Sequence, residues 1–121
     1  MSIIQFPQTV GVESILQTLG VPVRFIEPDN NTLYEHELGV TYKIPDKNIY
    51  RVFIRSGMSV AQTQMTLCHE LGHIALGHLV KEKFHYLTVD QREKEAEQFA
   101  SIVLPYIYKP VFRSDYNGEI D

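Results

Sequence analysis

Two histidines, His69 and His73, stand four positions apart around Glu70 in the pattern His-Glu-Leu-Gly-His. Residues 65–76 favour helix, and on a helix both imidazoles project from one face, where they can reach a single Zn²⁺. Glu70 lies about 100° further round the helix and can hold a water bound to that metal. This spacing is a signature of metallopeptidases. The pentad therefore predicts a helical metal site with a general base beside it.

The pentad helix also needs an apolar face on which to pack. With His69 at 0° on a helical wheel, Leu67, Leu71 and Ile74 fall at about 160°, 200° and 140°. The helix is therefore predicted to bury one face and to present the metal on the other. Residues 36–39 repeat the first four letters of the pentad without the second histidine, so we interpret this copy as a coincidence in or beside a strand.

Apolar periodicity and turn residues predict six elements. They are helices over residues 10–19, 60–79 and 89–104 and strands over 23–26, 38–44 and 49–55, with a turn at 45–48 joining the last two strands. Ser59 and Thr88 are candidate caps of the second and third helices, and Pro105 is predicted to end regular structure. This order predicts an α+β fold with a small, mainly antiparallel sheet packed on helices.

Length and composition limit the domain count and the classes of partner. We expect one domain over residues 1–121, with a core of about 10–105 and a tail, 106–121, without a firm element. The net charge of −4 and the scattered lysines and arginines argue against direct nucleic-acid binding. Cys68 is the only cysteine, and we expect a small buried thiol in a reducing compartment. Without a signal-peptide pattern or a membrane-spanning run, a cytoplasmic protein is expected.

A catalytic zinc takes three protein ligands and leaves a fourth position for water, so a third ligand is needed. The candidates are His78, His85, Glu93, Glu95 and Glu97. An unbroken helix would point His78 away from the metal, as a helix-end or surface histidine, and His85 stands in a short connection. On the last helix, Glu93, Glu95 and Glu97 lie about 70°, 90° and 110° from the centre of the inward stripe. Glu93 is therefore, by a small difference in angle, the glutamate best placed to be the third ligand.

Two stretches together resemble the ImmA/IrrE family of zinc metallopeptidases. They are Met65-Thr-Leu-Cys-His-Glu-Leu-Gly-His-Ile-Ala-Leu-Gly-His78, and Glu93-Lys-Glu-Ala-Glu-Gln-Phe-Ala100 followed by Leu104-Pro105. The resemblance covers roughly residues 10–105 and implies a zincin-like fold. It also implies that His69, His73 and Glu93 bind Zn²⁺ and that Glu70 is the general base.

The chain departs from the family pattern at several points. Glu97 stands where the family commonly has Asn or Asp, so the hydrogen bond that orients a ligand histidine is made by a longer side chain or not at all. Cys68 replaces the usual alanine. Only residues 106–121 follow Pro105, whereas many members continue through further helices or a helix-turn-helix domain. The sequence resembles a trimmed catalytic core.

The resemblance implies a metallo-endopeptidase with a narrow substrate range, typically a helix-turn-helix repressor of a phage or mobile element. We expect an extended peptide to bind along an edge strand, for which residues 49–55 are the candidate. A polar group should also stabilise the oxyanion of the transition state. The candidates for that group are His78, His85, Tyr86 and Tyr106.

Two other interpretations remain open. The chain could be a non-catalytic, metal-binding partner of a transcriptional regulator in a toxin-antitoxin or regulatory pair, although binding alone does not require Glu70. Metal sensing or storage is a weaker alternative, since one site with a built-in base suits chemistry better. Zinc is favoured by the ligand types, while a set of two histidines and one carboxylate also accepts Fe²⁺.

Overall fold

The computed structural model describes residues 10–80 and 87–107. Within these ranges the chain forms three helices and three strands: α1 (Val10–Thr18), β1 (Val23–Ile26), β2 (Gly39–Lys43), β3 (Tyr50–Arg55), α2 (Val60–Ala75) and α3 (Val89–Ile107). The predicted α+β class and the order of the elements are confirmed. His85, a candidate ligand and oxyanion group, and Tyr86, a candidate oxyanion group, lie outside the described residues, as does most of the tail.

The three strands form one mixed sheet in the order β1-β3-β2. The predicted hairpin between β2 and β3 is present and antiparallel, whereas β1 pairs with β3 in parallel, Val23 opposite Val52. The sheet is therefore mixed rather than mainly antiparallel. The prediction of an edge strand over residues 49–55 is wrong, because β1 pairs with the other side of β3 and makes β3 the central strand. The buried side chains of Val52 and Ile54 fit a strand that is paired on both sides.

The core lies between the sheet and the helices. Val12 and Leu16 of α1 pack with Ile54 of β3 and with Leu67 of α2 in one cluster of buried side chains. Cys68 belongs to the same cluster, and burial raises the pKa of its thiol to about 11. A thiol in this environment stays protonated and acts as a small apolar side chain, as the sequence predicted. The apolar face of α2 thus anchors the pentad helix.

The second and third helices begin at the predicted caps but end at residues other than those predicted. Ser59 accepts a hydrogen bond from the Gln62 N–H at 3.1 Å. Thr88 and Gln91 form the reciprocal bonds of a capping box, 2.8 and 3.1 Å long. The helix α3 continues past Pro105 to Ile107, against prediction, because a proline so close to the end removes only one internal hydrogen bond.

The helix α2 stops at Ala75, four residues before the predicted end. Gly77 has a φ of +72°, a left-handed conformation that glycine adopts without strain. The Gly77 N–H donates to the Ile74 carbonyl and the His78 N–H donates to the His73 carbonyl. These two bonds are the Schellman motif, which ends a helix and folds the next residue back over its last turn. None of the helices in the described ranges is long and apolar enough to cross a membrane.

Candidate metal centre

The packing of α3 against α2 brings three potential ligands together. Nε2 of His69 lies 2.9 Å from Oε1 of Glu93, and Nε2 of His73 lies 3.1 Å from Oε2 of the same carboxylate. The two Nε2 atoms are 3.2 Å apart. All three ligand atoms fall within 4.8 Å of one another. The structure therefore brings together the three residues that the sequence selected as ligands.

The electrostatic state of these groups suits a divalent metal. Burial lowers the pKa of His73 to about 4, although the nearby Glu93 carboxylate raises it. The His73 imidazole is therefore neutral near pH 7, with a lone pair free to bind a metal. Two imidazole nitrogens and a carboxylate oxygen are ligands that Zn²⁺ accepts, and three of them leave a position for water. The residues present thus fit a zinc ion.

Glu70 lies next to the ligands, in the gap between α2 and β2. Its side chain is buried, with 4% of the residue exposed, and Oε1 accepts a hydrogen bond from the Thr41 hydroxyl at 2.5 Å. Burial raises the pKa of Glu70 to about 7, although the Thr41 hydrogen bond and His69 both lower it. A carboxyl group with a pKa near neutrality both takes up and releases a proton under ordinary conditions. Glu70 therefore has the properties of a general base.

A cleft of about 1300 Å³ runs past these residues. One wall is β2 with the preceding turn, and the other is α3, while α2 forms the floor. Apolar side chains along it include those of Val40, Met65 and Ile102. The cleft is open to solvent, and its volume exceeds the roughly 300–1,000 Å³ of ordinary small-molecule pockets.

A family model, that of the M78 peptidases, described as an IrrE N-terminal-like domain, matches residues 16–108. The chain belongs to this family. The match contains the whole sheet, the pentad and Glu93, and it confirms the resemblance to ImmA/IrrE proteins. Membership indicates a metallopeptidase-like function. No curated protein and no solved structure matches the chain significantly.

The other ligand candidates of this IrrE-like domain lie elsewhere. His78 is at a helix end, as predicted, but it is 3% exposed rather than on the surface. The left-handed turn at Gly77 directs it against the back of His73, so the wheel of an unbroken helix gave the wrong direction. Glu95 contacts His78, and Glu97 lines the cleft one turn beyond Glu93. Tyr106, an oxyanion candidate, is 77% exposed.

The sequence did not point to two groups at the site. Thr41 is 29 residues from Glu70, and nothing in a lone threonine on a strand indicates a long-range hydrogen bond to the base. His36 and Glu37, the incomplete copy of the pentad, do lie beside a strand, in the turn before β2, yet they line the cleft. Arg55 holds this turn by donating to the carbonyl oxygens of Glu35 and Glu37.

Gly39 allows β2 to approach Glu70 closely. A Cβ at this position would lie 2.7 Å from Cγ2 of Thr66, 3.1 Å from Cδ1 of Ile54 and 3.2 Å from Oε2 of Glu70. The first of these contacts is shorter than packed carbon atoms tolerate. The absence of a side chain at Gly39 therefore sets the spacing between the strand and the base.

Gly39→Ala is expected to lower the free energy of unfolding by about 1–3 kcal/mol, because the added methyl overpacks the α2–β2 contact. Urea unfolding of both proteins measures the loss. Thr66→Ser removes the closest atom, Cγ2, and retains the hydroxyl that donates to the Gln62 carbonyl. The double variant Gly39→Ala/Thr66→Ser should lose less stability than the sum of the two single variants. Strict additivity would contradict the proposed overlap.

Proposed function

We propose that this protein is a zinc-dependent metallo-endopeptidase with a zincin-like active site. The observation that carries the proposal is the convergence of His69, His73 and Glu93 beside a buried Glu70. Bound Zn²⁺ would supply a Lewis acid that polarises the scissile carbonyl and lowers the pKa of a water molecule. A site for metal binding alone does not require a carboxyl group with the properties of Glu70.

Glu70 takes the proton of the attacking water and passes it to the leaving amine. Thr41 donates to Oε1 of Glu70, so Oε2 is the oxygen that remains for the transferred proton. Gly39 leaves space next to Oε2, where a side chain would otherwise crowd it. The pKa of about 7 allows the same carboxyl group to act as base in one step and as acid in the next.

The substrate peptide binds in the cleft in extended form, along β2. Among the described strands β2 pairs with β3 alone, so its other edge has backbone groups free to pair with a peptide. This edge replaces residues 49–55 as the docking strand. The apolar side chains of Val40, Met65 and Ile102 line the same cleft and provide contacts for alternate side chains of the peptide.

The proposed substrate is a helix-turn-helix repressor of a phage or mobile element, in the cytoplasm. Support for this choice comes from membership of the family and from the net charge of −4, which favours a protein partner over a nucleic acid. Cleavage of the repressor would release the genes that it silences.

Metal analysis and a cleavage assay test the proposal together. Purified protein should contain about one zinc per chain. It should cut a co-expressed helix-turn-helix repressor into fragments visible by mass spectrometry, and a chelator should stop the reaction until zinc is restored. Relief of repression with an intact repressor would instead favour the non-catalytic partner of a regulator. Protein without zinc and without cleavage would contradict the peptidase.

A further inference from the structure

Behind His73, on the side away from the metal ligands, a chain of two hydrogen bonds leads to the protein surface. Nδ1 of His73 lies 2.9 Å from Nδ1 of His78, and Nε2 of His78 lies 2.7 Å from Oε1 of Glu95. His78 is nearly fully buried, and the Glu95 side chain is 46% exposed. His73 is thus held through one ring nitrogen while its other nitrogen faces His69 and Glu93.

The backbone places His78 in this position independently of any metal. The Schellman motif at Gly77 folds the chain back, and the His78 N–H donates to the carbonyl of His73 itself. The same two residues are therefore joined twice, once through the backbone and once through their rings. Glu95 completes the contact from α3, two positions after Glu93.

The direction of each hydrogen bond follows from the chemistry of its end group. A carboxylate oxygen only accepts, so in a His78 ring that carries one proton the contact with Glu95 places that proton on Nε2. Nδ1 of His78 then carries a lone pair and accepts, which requires the proton of His73 on Nδ1. Nε2 of His73 is left unprotonated, and this is the atom that faces Glu93.

We propose that His78 and Glu95 are positioning residues that fix the tautomer and ring orientation of His73, so that its Nε2 lone pair is presented to the metal. The inference rests on the proposed function. Neither residue contacts the ligand atoms of the centre, and their effect passes through His73. Removal of a partner of this kind costs about 10–100-fold in metal affinity.

Zinc affinity, measured by competition with a chromophoric chelator, tests the role of His78. His78→Leu keeps the bulk of the side chain and removes the acceptor, and it should bind zinc about 10–100-fold more weakly. His78→Asn keeps an acceptor oxygen close to the position of Nδ1 and should recover most of the affinity. Equal losses in the two variants, or no loss in His78→Leu, would overturn the inference. If His78→Leu does not fold, His78→Asn and the tautomer measurement below decide.

Glu95 is tested by a matched pair of carboxylate-to-amide changes on α3. In Glu95→Gln the amide can both donate and accept, so the direction of the two hydrogen bonds is no longer fixed. A smaller loss of zinc affinity is expected than in His78→Leu. Asp90→Asn removes the same charge from the first turn of the same helix and should bind zinc as the wild type does. Equal effects of the two changes would mean that charge alone acts, and would overturn the role of Glu95.

Imidazole ¹⁵N shifts of the metal-free protein give a readout that does not depend on zinc. His73 should carry its proton on Nδ1 and His78 on Nε2, and Glu95→Gln should shift both toward a mixture. A wild-type His73 protonated on Nε2 would overturn the inference. Zinc binding that Glu93→Ala abolishes but His78→Leu leaves unchanged would overturn it while the peptidase proposal stands. Wild-type protein that binds no zinc would overturn both.

Discussion

Glu70→Gln is expected to retain zinc and to lower the rate of peptide hydrolysis by about 10²–10⁴-fold, the usual contribution of a general acid–base group. The amide has the shape of the carboxyl group and accepts the Thr41 hydrogen bond, but it cannot take up the proton of the attacking water. Because burial already disfavours the charged carboxylate, the neutral amide should not reduce the stability of the fold.

Initial cleavage rates and metal content, measured on the same preparations, check this expectation. The variant should contain as much zinc per chain as the wild type, which separates loss of the base from loss of the metal. A Glu70→Gln variant that cuts at the wild-type rate would remove Glu70 from the mechanism. Equal relief of repression by the two proteins in cells would favour the non-catalytic partner of a regulator.

Glu93→Ala is expected to weaken zinc binding by more than about 100-fold, beyond the cost of losing a residue that only orients a ligand. The two oxygens of Glu93 lie 2.9 and 3.1 Å from the two histidine nitrogens, so its loss removes one of three ligands. Chelator competition measures the affinity. Glu97→Ala is the matched comparison, because Glu97 is another of the ligand candidates and lies one turn further along α3.

The comparison distinguishes two arrangements of the centre. A much smaller loss in Glu97→Ala than in Glu93→Ala is the expected result, since Glu97 lines the cleft and is not one of the three converging residues. Full zinc binding by Glu93→Ala would remove it from the ligand set. A larger loss in Glu97→Ala would move the third ligand one turn along the helix.

The sequence predicted those features that depend on local periodicity and spacing. The four-residue separation of His69 and His73 defines one face of any helix, and the apolar stripe of α2 lies on the other face whatever its neighbours are. Glu93 could be ranked first among the glutamates because the inward side of α3 is also set by a local pattern. The helices and strands themselves were found for the same reason.

The features that the sequence did not predict depend on one dihedral angle or on distant pairing. The position of His78 against His73 depends on the positive φ of Gly77. A helical wheel assumes an unbroken helix and cannot include that turn. The central place of β3 depends on β1, which pairs with it although β2 lies between the two strands in the sequence. The bond between Thr41 and Glu70 requires the sheet to be in place, so no local pattern indicates it.

The division of the centre between two helices makes its formation depend on their packing. His69 and Glu93 are 24 residues apart, on α2 and α3, so the three ligand atoms converge only where these two helices pack together. The hairpin of β2 and β3 and its contacts with α2 need only the preceding chain, whereas the carboxylate arrives with α3. A chain in which α3 has not packed against α2 therefore has the base and two histidines without the third ligand. Separation of α3 from α2 would therefore dismantle the centre even where the histidine pair and the buried carboxyl group stay in place.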